Sequence, residues 1–278
     1  MSAVIESKTN VAFSNTSSIT FSAPSGIQNG NLLFAVIALE SAGGSITTIP
    51  TGWTELRNEG RTNISTWIYY KLANNESGSY GWGWSGLGNR RNSGVMFRLS
   101  GVADTFVSAT GTADNTASPS ISNSITPTIA DSLLFMIFSA EQNNNNVSGY
   151  AIATDNPTWT EQHDEVDASA NFSLAVATAV RSATTATGNS SLTGGDTTAD
   201  WVGHLVSVNL PISVTVTGST GILTLTGNAG TVTGSANITG STGVLTLNGN
   251  AGTVTTPDPL WINEDKPTTS TFTNETKP

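Results

Sequence analysis

Two unbroken apolar stretches set the first expectation. Asn31-Leu-Leu-Phe-Ala-Val-Ile-Ala-Leu-Glu40 is matched roughly a hundred residues later by Asp131-Ser-Leu-Leu-Phe-Met-Ile-Phe-Ser-Ala-Glu141. Each is too short for a buried helix and is flanked by Gly, Asn or Asp, which predicts central β-strands. A Trp-bearing turn follows each one, Pro50-Thr-Gly-Trp-Thr-Glu55 and Asn156-Pro-Thr-Trp-Thr-Glu161. Alternating strands come next, with Ser65–Lys71 aligning with Phe172–Thr178 and Gly94–Ser100 with the segment from Trp201 to Leu210. The pattern predicts an all-β, jelly-roll-type β-sandwich over residues 1–211, built from two related halves, about 1–115 and 116–211. Four strands from each half would make one eight-stranded double sheet; two small separate sandwiches are the alternative.

Residues 212–257 change character. Val216–Gly234 recurs at Ile238–Thr256, 22 residues on, and the two copies differ only at Val216/Ile238, Ile222/Val244, Thr226/Asn248 and Gly234/Thr256. Ile222-Leu-Thr-Leu-Thr226 and Val244-Leu-Thr-Leu-Asn248 alternate, with turns at Ser-Thr-Gly and Asn-Ala-Gly, so short β-repeats are predicted. Repeat arrays normally need at least three units to bury a continuous core. Two repeats therefore imply support from the sandwich or from other copies, and a homo-oligomer, with a trimer as one form, is expected. Residues 258–278 read as an extended docking tail carrying a further echo, Trp261-Ile-Asn-Glu-Asp-Lys-Pro267 and Phe272-Thr-Asn-Glu-Thr-Lys-Pro278. Trp261, Asn263, Lys266, Phe272, Asn274 and Lys277 are its candidate subunit contacts.

Composition narrows the function. Charged residues are 11% of the 278, against the usual quarter, and hydrophobic residues are 37%. Ser, Thr, Asn and Gly fill the difference, which suits neutral sheet faces and tight turns more than surface helices. Ten basic against twenty acidic residues give a net charge of −10, and the one basic pair is Arg90-Arg91. Gripping phosphate needs clustered Lys and Arg, so neither nucleic acid nor an anionic membrane is an expected partner. There is no cysteine, which excludes disulfides and thiolate metal sites. Met1–Phe13 lacks a basic segment followed by an apolar core, so no export signal is expected.

Candidate chemistry is sparse. His163 lies in the acidic run Glu161-Gln-His-Asp-Glu-Val-Asp167, readable as a cation or acid–base site but more simply as a solvated turn; its spacing matches no Ca²⁺ loop. His204 falls inside an alternating strand and reads as a half-buried sheet residue. Gly81-Trp-Gly-Trp-Ser-Gly86 matches G-x-G-x-x-G, yet bulky indoles fill the turn and Asn-Arg-Arg-Asn follows where a helix is required. No catalytic residue, metal or cofactor is nominated. Trp82 and Trp84 share one face of an alternating strand with glycine opposite, so they read either as core or, with Arg90 and Arg91, as a platform for a sugar ring.

The series Gly-Asn-Leu-Leu-Phe-Ala (30–35), Pro-Thr-Gly-Trp-Thr (50–54), Tyr-Tyr-Lys-Leu-Ala (69–73), Tyr-Gly-Trp-Gly-Trp (80–84) and Phe-Arg-Leu-Ser-Gly-Val (97–102) resembles structural proteins of tailed bacteriophages with jelly-roll or lectin-like sandwiches. The Thr/Gly-rich repeats and the Asn-Glu-x-Lys-Pro tail are similar to virion proteins as well. The resemblance implies a place in the virion as head decoration, head fibre or tail component, with capsid or tail subunits as partners. It transfers no catalytic residue. A receptor-binding module for host surface glycan is the alternative it leaves.

Overall fold

The computed structural model describes residues 3–40, 45–110, 120–141, 147–167, 172–193 and 200–211, together with backbone strands within 214–249. The tail residues Trp261, Asn263, Lys266, Phe272, Asn274 and Lys277 lie outside them. The chain divides into two compact units, Met1–Pro211 and Ile212–Pro278.

The first unit is all β, with eight strands in each half. The first half comprises β1 (Val4–Thr16), β2 (Ser18–Ser22), β3 (Leu32–Leu39), β4 (Ile46–Thr48), β5 (Thr54–Gly60), β6 (Ser65–Leu72), β7 (Ser79–Trp84) and β8 (Arg90–Ser100). The second comprises β9 (Phe106–Thr110), β10 (Ser120–Ser122), β11 (Ser132–Ala140), β12 (Ser148–Ile152), β13 (Thr160–Asp167), β14 (Phe172–Arg181), β15 (Ser190–Thr193) and β16 (Trp201–Val208). Sheet orders are β1-β8-β3-β6-β5 with β2-β7-β4, and β9-β16-β11-β14-β13 with β10-β15-β12. The two halves are thus the same antiparallel jelly roll, strand for strand.

This revises the expected strand count. The sandwich is not one double sheet shared between halves of four strands; each half is a complete sandwich of eight. β9 already belongs to the second half, so the division falls before Phe106 and not near residue 115. The short strands β2, β4, β7, β10, β12 and β15 escape a search for long apolar runs.

Four layers result, three-, five-, five- and three-stranded. The two five-stranded sheets pack face to face through Leu32, Phe34, Val36, Val95 and Phe97 on one side and Leu133, Phe135, Ile137, Leu174 and Val176 on the other. Phe135 stands at the centre, 4.6 Å from the Phe34 ring and 5.3 Å from Phe97. The opposite face of β3, with Leu33, Ala35 and Ile37, packs under the first three-stranded sheet. The opposite face of β11, with Leu134, Met136 and Phe138, does the same in the second half. Both faces of β3 and β11 are therefore dry, which is why their sequences are apolar throughout and do not alternate.

The halves meet about an approximate two-fold axis. Lys8 on β1 donates to the Gln162 carbonyl on β13, and Phe13 lies edge-on to Phe172, 5.0 Å away. At the other side Arg57 Nη2 on β5 donates to the Ser108 carbonyl on β9 at 3.2 Å, and Tyr70 stacks near Phe106 at 4.6 Å. Each half thus sets its first strand against the fifth strand of the other, the self-complementary arrangement of an isologous dimer.

Ladder registers give the residue-level correspondence. Leu39 faces Ser65 and Ala140 faces Ser173, so Ser65 corresponds to Ser173 and not to Phe172. A one-residue slip of that kind would exchange the two faces of the strand. Ile37 faces Gly94 and Phe138 faces Gly203, so Gly94 corresponds to Gly203, two residues beyond the alignment read from sequence. Gly94 is required sterically: a Cβ there would lie 2.5 Å from the Phe21 ring and 2.7 Å from the Val36 carbonyl.

Two substitutions test this packing. Gly94→Ala forces the Phe21 ring or the β3 backbone aside and is expected to cost about 1–3 kcal/mol. Phe135→Ala opens a cavity between the inner sheets and is expected to cost about 3–5 kcal/mol. Chemical denaturation monitored by tryptophan fluorescence checks both; losses near zero would contradict the packing described.

Candidate functional site

Trp82 and Trp84 are core, and the alternative of an indole platform is closed. Trp82 is fully buried and Trp84 is 5% exposed. Alternation along β7 turns Tyr80, Trp82 and Trp84 inward, where Trp82 meets Phe21 edge-on at 5.5 Å and Trp53 at 5.0 Å. The narrow three-stranded sheet reaches β3 only through large side chains, so these rings are core. Gly81 and Gly83 face outward beside Thr20 and Thr48, within 3.4 Å of where a Cβ would sit. Arg90 is exposed and Arg91 Nη1 lies 3.4 Å from the Glu40 carboxylate. Neither arginine forms a platform with an indole of β7, because those indoles are buried.

A different aromatic surface is open, and comparison of the halves reveals it. β5 and β13 pair with β6 and β14 and not with β4 and β12, so each half keeps an unclosed seam between its fifth strand and its three-stranded sheet. In the first half the carboxylates of this seam are partnered, although the indole N–H of Trp53 is buried without an acceptor. Glu55 accepts from the Tyr69 hydroxyl at 3.1 Å and from the Asn58 amide. Beside them lies a groove of about 300 Å³ lined by Ile46, Glu59 and Trp67. Deeper, Glu76 accepts from the Tyr80 hydroxyl at 2.7 Å and pairs with Lys71 Nζ at 2.8 Å. Burial alone would raise the Glu76 carboxyl, but bonds from Lys71, Tyr80 and the Asn74 N–H hold it below the usual range.

The second half repeats the seam with different chemistry. Ladder positions place Glu161 where the first half has Glu55, and Asp164 where it has Asn58. The amide donor is thereby replaced by a second carboxylate. Burial and the charge of Glu161 push the Asp164 carboxyl up to about 6, and its Oδ1 is buried without a partner. The Tyr150 hydroxyl across the seam is likewise buried and unpartnered, its pKa raised by burial and by Glu161 and Asp164. Trp159 completes the row, 6.5 Å from the Tyr150 ring, with Nε1 donating to Asn156 Oδ1 at 3.0 Å. Its counterpart Trp53 is covered by Tyr80 and Trp82, whereas β15 supplies only Ser190 and Leu192, leaving Trp159 half-exposed.

The histidines do not form a site. His163 lies in strand β13, 5% exposed, and not in a solvated turn. Matching β-bulges at Glu55/Arg57 and Glu161/His163 turn Arg57 and His163 toward the space between the inner sheets. The bulge therefore splits the acidic run: His163 points in, while Glu161 and Asp164 line the outer seam. Burial and nearby Lys8 lower His163 to about 4. His204, fully buried and not half-buried as expected, is lowered to about 3 by burial and Arg57. It takes the place that Val95 holds in the first half.

Sequence reasoning passed over buried Arg181 and half-buried Arg57. Arg181, 1% exposed, donates to the carbonyls of Ala183 at 2.9 Å and Thr185 at 2.7 Å, and lies 3.5 Å from Asp155. It fastens the loop after β14 beside a groove of about 650 Å³ lined by Leu133, Pro157, Thr178 and Val180. The available signal was an arginine closing the otherwise neutral run of β14.

No protein-family profile matches the chain, and no curated protein or solved structure is significantly similar to it.

Both histidines are held neutral, with folded values below the unfolded value near 6.5. Their stabilising contribution is complete above that pH and is lost as pH falls toward about 4 for His163 and about 3 for His204. Asp164 acts in the opposite sense, favouring the fold at low pH and losing that contribution as pH rises through about 6. Each histidine adds up to about 1.4 kcal/mol per pH unit to the acid limb. His204→Val, which installs the residue of the other half, is expected to make that limb shallower. Urea midpoints at pH 7 and pH 4.5 measure it, and an unchanged difference between them would refute the assignment.

Proposed function

We propose that this chain is a non-catalytic structural protein of a bacteriophage virion, serving as decoration, head fibre or tail component and engaging neighbouring virion subunits. The observation that carries the reading is the inward disposition of its reactive groups. Both histidines and Arg57 face the space between the two jelly rolls, the β7 indoles pack under their own outer sheet, and Arg181 holds the loop after β14. What remains outside is polar sheet surface with few charges, suited to static contact with subunits. The virion assignment itself rests on the motif resemblance given above, and the Thr/Gly repeats with the tail serve as the oligomerising and docking segment.

A second reading has one specific observation in its favour. Trp159, Glu161, Asp164 and Tyr150 form a row of half-exposed ring, carboxylates and an unpartnered hydroxyl along an open seam. Such a surface suits a sugar, whose C–H face stacks on the indole while its hydroxyls donate to carboxylates. Host glycan binding, if it occurs, belongs to this row and not to Trp82 and Trp84.

Three measurements discriminate. A decoration protein remains with purified heads at fixed copy number and is missing from isolated tails; a chain absent from particles altogether ends the structural reading. Trp159→Ala is expected to abolish retention on host cells without unfolding, whereas Trp82→Ala is expected to destabilise by about 3–5 kcal/mol; retention by folded Trp159→Ala at the wild-type level removes the glycan reading. Removal of residues 212–278 is expected to leave unit 1 folded and monomeric by light scattering, and an unchanged oligomer mass would reject the assembly role of that segment.

A further inference from the structure

We propose that the four described strands within residues 214–249 form a two-rung stack whose outer edges join copies of this chain head to tail, the second rung of one copy receiving the first rung of the next. The proposal rests on the oligomerising role given above to residues 212–278 and specifies its geometry.

Strand β17 (Val214–Thr217) pairs in parallel with β19 (Ala236–Thr239), and β18 (Thr220–Gly227) pairs in parallel with β20 (Thr242–Gly249). The register equals the repeat: Val214 faces Ala236, Thr220 faces Thr242 and Leu225 faces Leu247. Each repeat is therefore one rung, and the second lies on the first with like residues adjacent, Leu223 by Leu245 and Thr224 by Thr246. Among the described residues β18 and β20 each pair on one edge only, and so do β17 and β19.

Likeness of the longer strands decides what fits those edges. β18 and β20 are identical at six of eight paired positions, so the edge of β18 on which β20 rests closely matches the outer edge of β20, while β17 and β19 share only Thr217 and Thr239. A surface that already accepts one rung thus recurs at the end of the stack, and among the described residues no further strand pairs with it. The strand that suits it is another first rung, and a second copy of the chain supplies one. Joining also passes the three repeats that a continuous core requires. A two-fold, tail-to-tail contact would bring the strands together antiparallel and lose the like-on-like register. The head-to-tail contact keeps it and, being heterologous, leaves a free edge after every addition.

The chain has no cysteine, so single-cysteine variants report the contact without background. Thr224→Cys and Thr246→Cys are prepared separately in the full chain, checked by circular dichroism, then oxidised alone and mixed. Head-to-tail stacking sets position 246 of one copy about 4.8 Å from position 224 of the next, within disulfide reach, while equal positions stand two rungs apart and out of reach. The expected result is interchain disulfide in the mixture and none above background in either variant alone, with wild-type sedimentation velocity showing mass that grows with concentration. Thr226→Cys with Asn248→Cys, another in-register pair, repeats the test should the first pair disturb folding. Efficient disulfide in Thr246→Cys alone means a two-fold contact and overturns the proposal. A single fixed mass at every concentration overturns it too. If that fixed oligomer dissociates when residues 212–278 are removed, the oligomerising role stands and only the open-ended geometry falls.

Discussion

Everything in unit 1 depends on burying both faces of two strands. β3 and β11 have no exposed residue along their strands, one face locked into the inter-sheet core and the other under a three-stranded sheet. Hydrophobic burial contributes roughly 25 cal/mol per Å², and a strand dry on both sides gains it at every position. That requirement fixes the four-layer order, because no two-layer sandwich can cover two such strands on four faces. It also explains the glycine at position 94, where the outer sheet lets the Phe21 ring approach the backbone directly.

Duplication then permits asymmetry. The first half lines its seam with a bonded Tyr69–Glu55–Asn58 set and covers Trp53 with Tyr80 and Trp82. The second half holds the same backbone, down to the matching bulge, with a second carboxylate beside Glu161 on β13 and a smaller β15 over Trp159. Its unpartnered Tyr150 hydroxyl and Asp164 oxygen cost stability that the extensive apolar core offsets. A structural half and a half with room for other chemistry is the simplest physical account of that difference, and it is why the glycan reading moves to Trp159.

Sequence showed the class and the duplication because long apolar runs and the Trp-Thr-Glu turns survive as local signals. It hid half the strands. β4, β10 and β15 are three or four residues long, too short for alternation to register, so each half looked half-complete. The one-residue slip at β6 and β14 arose because Phe172 and Ser65 begin visually similar alternating runs, whereas ladder partners determine the true match. His163 was misplaced because a run of acidic residues resembles a turn; the bulge that turns the imidazole inward has no composition signature. Trp82 could not be assigned from alternation alone, since Gly-Trp-Gly-Trp reads the same whether its indoles face a core or solvent.

The pseudo-dimeric core carries a consequence for behaviour on dilution. Two separate jelly rolls with this interface would dissociate on dilution, at a rate set by their affinity. Here the run from Ser100 to Phe106 ties them together, and a short tether holds the partners at an effective millimolar concentration regardless of how little protein surrounds them. Cohesion of the two halves is thereby a property of the single molecule, and it persists at vanishing protein concentration.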